Sequence, residues 1–143
     1  MSAVNKLDVA LDAIRDLMAA ALPHRVVQRS LVRDPITHDE DEMLKGVICL
    51  VNGGGGRFAN YRGREAQLGH ASLGVVGFVR VDEALPGEAV EKAELALLQD
   101  VLDWLKSPGA PRPFDTAAPG DWRQSRQLEF PFGWIVLEVD VKP

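Results

Sequence analysis

The segment that most constrains this chain runs from Asp121 to Val141. WRQSRQLEF, PFG and WIVLEVDV read as two alternating strands joined by a short turn built on Pro131 and Gly133. Period-two alternation gives each strand one face to bury and one to wet. A hairpin of that kind cannot stand alone and needs another layer against its apolar face. The rest of the chain has to provide that layer.

It does so in a recognisable order. Val4, Leu7, Leu11, Ile14 and Met18, with Ala10, Leu17 and Ala21, form an apolar stripe at helical spacing, and Pro23 ends it. His24 to Val32 has strand character, broken by Asp34-Pro35. Thr37 and Glu40 are spaced as a capping box for one helical turn. Gly46 to Asn52 is continuous and β-branched, as a buried strand should be, and Ala71 to Val81 alternates. Gly53 to Gly69 lies between them without periodicity and reads as the mobile loop of a long hairpin. Glu88 to Lys106 is a second helix. Its buried stripe is Val90, Ala93, Leu97, Val101 and Trp104, widened by Leu98, Leu102 and Leu105, while Glu88, Glu91 and Glu94 near its start suit the helix dipole. Ser107 to Gly120 reads as a Pro/Gly-rich surface connection. The expected fold is a single α+β domain over 1–143, a mostly antiparallel sheet with two main helices packed on one face and a long hairpin loop.

Composition excludes several classes. With 143 residues and 46% hydrophobic content the chain can bury a core without staples. A formal net charge of −5 argues against a free-standing duplex-DNA binder, which needs a basic face. Cys49 is the sole cysteine, so no intramolecular disulfide is possible and a reducing compartment is expected, with the thiol an inert core group. The N-terminus shows no basic region followed by an apolar core, and no apolar run reaches the roughly 20 residues of a membrane span, so neither export nor a membrane is expected.

No catalytic, cofactor-binding or metal site is expected. His38 to Glu42 offers one imidazole and four carboxylates, but contiguous side chains point apart and no second histidine stands at ligand spacing. His24, His70, Ser72 and Ser125 lack triad or nucleophile-elbow context. Asn52 to Gly56 follows a strand, where phosphate loops sit, yet it has neither a Gly-Lys-Ser/Thr ending nor a helix pattern behind it. Trp122 and Trp134 are candidates for cross-strand packing or an interface. The loop concentrates Arg57, Phe58, Tyr61, Arg62 and Arg64. Residues of this kind line protein interfaces, stack on nucleic acid, or simply stay solvated. Of these, the interface is the binding role assigned to the five.

VNKLDVALDAIRDLMAAAL, GVICLVNGG, ASLGVVGFVRV, EAVEKAELALLQDVLDWL and the terminal hairpin, taken in this order over most of the chain, resemble the tail-terminator, or tail-completion, proteins of long-tailed bacteriophages. The resemblance is one of pattern, carried by no short motif. It implies a homohexameric ring that caps the tail tube, stops its polymerisation and offers a face to the head-tail connector proteins. DNA would be passing cargo, and the protein would reside in the host cytoplasm during assembly and then in the virion tail. Acidity suits a channel through which DNA slides. Another phage neck or minor tail protein fits the same pattern. A ligand- or nucleotide-binding domain using the glycine loop is the alternative of a different class, and a cellular adaptor domain is a third.

Overall fold

The computed structural model describes residues 6–29, 40–58, 69–107, 110 and 114–143. Its elements are α1 (Lys6–Ala21), β1 (Val26–Arg29), α2 (Glu40–Lys45), β2 (Val47–Arg57), β3 (His70–Arg80), α3 (Glu88–Leu105), β4 (Thr116–Gln124) and β5 (Phe132–Lys142). The strands form one sheet in the order β1-β2-β3-β5-β4. All neighbouring pairs are antiparallel except β1 with β2, which run parallel with Val26 opposite Val47. The expected α+β class is what the chain adopts.

Strict alternation in β3 and β5 gives the sheet two different faces. Leu73, Val75 and Val79 of β3, with Ile135, Leu137, Val139 and Val141 of β5, turn to one side and are buried. There they meet Ala10, Leu11, Ile14 and Met18 of α1 and Leu97, Leu98, Val101 and Trp104 of α3. Fully burying a side chain such as Leu97 or Val101 contributes about 1.5–3 kcal/mol each. Val76 and Phe78 turn to the other side, where Met43 of α2 packs with Val47 and Cys49. Two helices therefore cover one face, and the short α2 covers part of the other.

Several boundaries differ from the sequence reading. In α1, Leu17 and Ala21 are exposed, since the stripe that meets the sheet is narrower than the apolar residues allow. Val4, the end of the first strand from Ser30, and Thr37 lie outside the described residues. β2 continues past Asn52 to Arg57, so Gly53 to Gly56 belong to a strand. They can because β2 bulges: Asn52 faces Leu73 and Gly56 faces Ala71, so three glycines stand opposite Ser72 alone. Asn52 Oδ1 accepts the Gly54 amide at 2.9 Å and fixes the start of the bulge. The connection after α3 is partly core and partly strand, with Ala110 and Phe114 buried and β4 beginning at Thr116.

The terminal hairpin turns over residues 125–131, which include Pro131 but begin earlier than expected and exclude Gly133. β4 stops at Gln124, and Arg126 and Gln127 adopt positive φ, 58° and 64°. Gly133 sits inside β5, buried. At the other end of the molecule's first crossover, Gly46 closes α2 with φ +88° and donates to the Glu42 and Met43 carbonyls. A side chain there would be strained, and its Cβ would lie 2.6 Å from Arg25 Nη1.

Candidate functional site

The bulge and the loop-side ends of β3 and β5 frame an open groove of about 400 Å³, lined by Gly55, Gly56, Arg57, His70, Ala71, Ser72, Asp140, Val141 and Lys142. The register explains why these side chains gather. Arg57 stands opposite His70 across β2 and β3, and Ser72 stands opposite Asp140 across β3 and β5. Adding a Cβ at Gly55 would meet nothing within 4 Å, so the rim is bare backbone on that side. Arg57 and Phe58 are both exposed, the latter at 55%, and the Phe58 ring covers Gly69, where a Cβ would come within 2.7 Å of it. Tyr61, Arg62 and Arg64 lie outside the described residues.

Two cations, one carboxylate and a hydroxyl thus border one depression. Neither Arg57 nor Lys142 enters an ion pair or side-chain hydrogen bond among the described residues. The groove can take up charge and hydrogen bonds from something outside the subunit. It has no nucleophile with a base in contact: Ser72 carries no hydrogen bond to His70 or Asp140 among the described residues. Nor do the glycines open a helix, as phosphate loops do, because they run inside β2 and rejoin the ladder at Gly56. Between α1, α3 and the sheet, the void bordered by Ile14, Leu50, Val75 and Val139 is only about 10 Å³ and apolar, too small for a ligand.

The other end of β5 carries a second assembly that the sequence did not disclose. Glu94, only 1% exposed, stands in the buried stripe of α3. Its Oε2 accepts from Ser125 Oγ at 2.5 Å and from the Trp134 amide at 2.8 Å, and its Oε1 accepts from Gln124 Nε2 at 3.3 Å. Gln127 Nε2 adds a bond to Glu91 Oε2 at 3.2 Å. One helix therefore anchors both arms of the terminal hairpin. The signal was present in the sequence as a carboxylate at an apolar position, between Val90 and Leu97, but dipole complementarity accounted for it equally well.

The anchored turn displays apolar groups. Leu128 is 75% exposed, and Phe132 is 39% exposed beneath the Arg80 guanidinium, whose carbon is 5.3 Å from the ring centroid. Trp122 and Trp134 are not partners. Trp122 faces Leu137 on edge strand β4, half exposed, whereas Trp134 faces Phe78 on the side of the sheet that α2 partly covers.

The remaining charged residues tie elements together. Asp100 of α3 accepts from Arg25 Nη2 and Nε and from His24 Nε2, at 2.8–2.9 Å, while Arg25 Nη1 donates to the Lys45 carbonyl at 2.8 Å. Partial burial raises the Asp100 carboxyl, but the bonds from His24 and Arg25 outweigh it and hold the group below its ordinary range. Arg29 joins β1 to Asp8 and Asp12 of α1, and the bond to Asp8 leads in raising its affinity for the proton. Burial pushes the Cys49 thiol up, against a weaker opposing bond from Gln28, which makes it a poor nucleophile. His38 and Asp39 lie outside the described residues. Among the described residues no three His, Cys, Asp or Glu side chains come together to hold a metal ion, and no helix is long and apolar enough to cross a membrane.

No protein-family model matches the chain, and none of the curated proteins matches it significantly.

Proposed function

We propose that this protein is a phage tail terminator: a ring-forming subunit that caps the tail tube, stops its growth and presents a face for head-tail joining. The observation that carries the reading is where the subunit leaves its binding groups. They lie at sheet edges and strand ends: Arg57 and Phe58 at the loop end of the β2–β3 hairpin, Leu128 on the terminal turn with Phe132 at the start of β5, and Trp122 on edge strand β4. Exposed aromatic, leucine and arginine side chains of this kind suit contacts with other protein chains. The element order, α1 through β5, is the order on which the resemblance to tail terminators rests, and it supports the reading.

Edge strand β4 carries Pro119 and a register shift between Pro119 and Trp122. Both features discourage open-ended strand addition. Contact through side chains and loops, closing by rotation, is then the route to a ring. Six subunits would give about 94 kDa, six times the 15.6 kDa chain. The acidic net charge favours DNA as a transient passenger.

The test adds the protein to cognate tail tubes and images the tube ends. Six-fold density at one end, with tube growth arrested, supports the reading. Tubes that lengthen normally with bare ends at saturating protein refute it. A saturable rise in melting temperature with a nucleotide, lost on replacing Gly54 or Gly55, would move the assignment to a ligand-binding domain.

A further inference from the structure

The two ends of β5 are complementary to each other, and a single subunit cannot bring them together. At the start of β5, the turn over residues 125–131 presents Leu128 and Glu129, both exposed. The turn over residues 82–87 lies beside it: Val81 donates to the Pro131 carbonyl at 3.0 Å, and a Cβ at Gly87 would stand 2.4 Å from Gln127 Oε1. That neighbour adds Leu85, 47% exposed, and the exposed carboxylates of Asp82 and Glu83. The result is an apolar tip bordered by the carboxylates of Glu129 and Asp82, with Arg126 on the same turn and Glu83 paired to Arg80 at 3.4 Å. At the far end of β5, roughly 33 Å away along an 11-residue strand, Phe58 stands beside the groove of Arg57, His70 and Lys142. That end is an apolar ring beside two cations, Arg57 and Lys142, and the Asp140 carboxylate.

We infer that the contact between copies runs end to end: the Leu128–Glu129 turn of one subunit seats in the Arg57/Lys142 groove of the next. The inference rests on the proposed ring and names the surfaces that would close it. Three observations support a second copy as the occupant. Charge complementarity supports it in the pairing of Glu129 and Asp82 at one end with Arg57 and Lys142 at the other, while Glu83 is already paired with Arg80, and Arg126 on the turn and Asp140 and Asp115 at the groove end work against it. The groove, about 400 Å³, is of a size to admit a leucine with its flanking residues. The turn is also held ready: Arg126 and Gln127 keep positive φ, which non-glycine residues adopt only when their surroundings enforce it, and Glu94 and Glu91 supply that enforcement. A rigid turn loses little conformational entropy on docking. Because the tip and the groove are different surfaces, the contact is heterologous, and successive copies either close or propagate.

The experiment places a photoreactive benzoylphenylalanine at position 128 and maps cross-linked peptides, alongside sedimentation of the full chain up to about millimolar concentration. Cross-links from 128 should land on residues 55–58, 70–72 or 140–142 of a second chain. Glu129→Lys and Lys142→Glu should each weaken self-association about tenfold, the double variant should restore it, and higher salt should weaken the parent. Both variants alter exposed side chains, and melting curves on the same samples confirm the fold. Self-association with cross-links elsewhere, or reversals without effect, overturns the inference and leaves the ring reading standing. Cross-links that land only on tube protein, when tubes are present, overturn it in favour of a tube contact. Absence of self-association both alone and with tubes also overturns it, and bare tube ends in the same images would remove the proposed function as well.

Discussion

The Glu94 carboxylate accepts the Trp134 amide at 2.8 Å, which joins the middle of α3 to the start of β5 across 40 residues of chain. The same oxygen takes the Ser125 hydroxyl. A buried carboxylate is tolerable only when its lone pairs are filled, and here donors from both arms of one hairpin fill them. Glu94→Ala would strand the Ser125 hydroxyl and the Trp134 amide without an acceptor. A loss of about 2–4 kcal/mol in urea unfolding is expected. Ser125→Ala alone should cost less, and the pair should be clearly non-additive. Additive losses would mean that the three groups do not act as a unit.

Gly133 lies against that carboxylate. A Cβ at this position would come 2.5 Å from Glu94 Oε2 and 2.5 Å from Val90 Cγ1. Gly133→Ala should therefore lower stability by about 1–3 kcal/mol through overpacking. Gly55→Ala is the matched contrast, since its Cβ would meet nothing and its φ is not left-handed. It should be neutral or gain up to about 1 kcal/mol from a stiffer unfolded chain. Thermal melts of the two variants side by side check both expectations.

Val101 tests the packing of α3 on the sheet. It is 1% exposed within the main core. Val101→Asp would bury a carboxylate with no donor beside it, and a loss of several kcal/mol, about 3–5, is expected. A soluble variant that melts cooperatively at the parent temperature would contradict the placement of the helix.

How much of this was legible in the sequence depended on whether a signal was periodic. α1, α3 and β3 were readable because Leu11 and Ile14, Leu97 and Val101, and Leu73 and Val75 repeat at helical or strand spacing, and the buried part of β2 because Val47 to Val51 is a continuous apolar, β-branched run. The ends were not. Gly53 to Gly56 read as a loop because glycine reports flexibility in isolation, whereas the partner that holds them, Ala71 and its neighbours on β3, is set by register. The 125–131 turn was partly misplaced for a similar reason. Pro131 does lie in the turn, but Gly133 lies inside β5, where its missing side chain admits Glu94, a long-range contact. The groove joins residues 55–57, 70–72 and 140–142, and single-chain pattern reading singled out Arg57, as a loop residue, but not Lys142 or Asp140.

Hydrogen exchange should reveal the bulge as a boundary. Val47 to Leu50 are buried and paired on both sides, so their amides should be among the slowest in the protein. Gly55 falls in the gap between the Asn52–Leu73 and Gly56–Ala71 pairs and is exposed, so it should exchange quickly. Protection at Gly55 matching that of Ile48 would show that the register shift is filled by another contact.

The Asp100 cluster predicts the acid side of the stability curve. Arg25 and His24 hold this carboxyl below its ordinary value of 3.8, although partial burial opposes them. The folded state therefore binds the Asp100 proton less readily than the unfolded state. The stabilisation is fully present above the unfolded value and is lost as pH falls through the lower folded value. Asp100→Asn should then be less stable than the parent near neutrality, and the gap should narrow as pH drops below about 3.8. Because Arg25 also donates to the Lys45 carbonyl, the variant should loosen the junction of α2 with β1, seen as faster exchange at the Val26 amide, which bonds the Gly46 carbonyl at 3.0 Å. A gap that stays constant from neutrality into acid would show that Asp100 contributes by shape and not by charge.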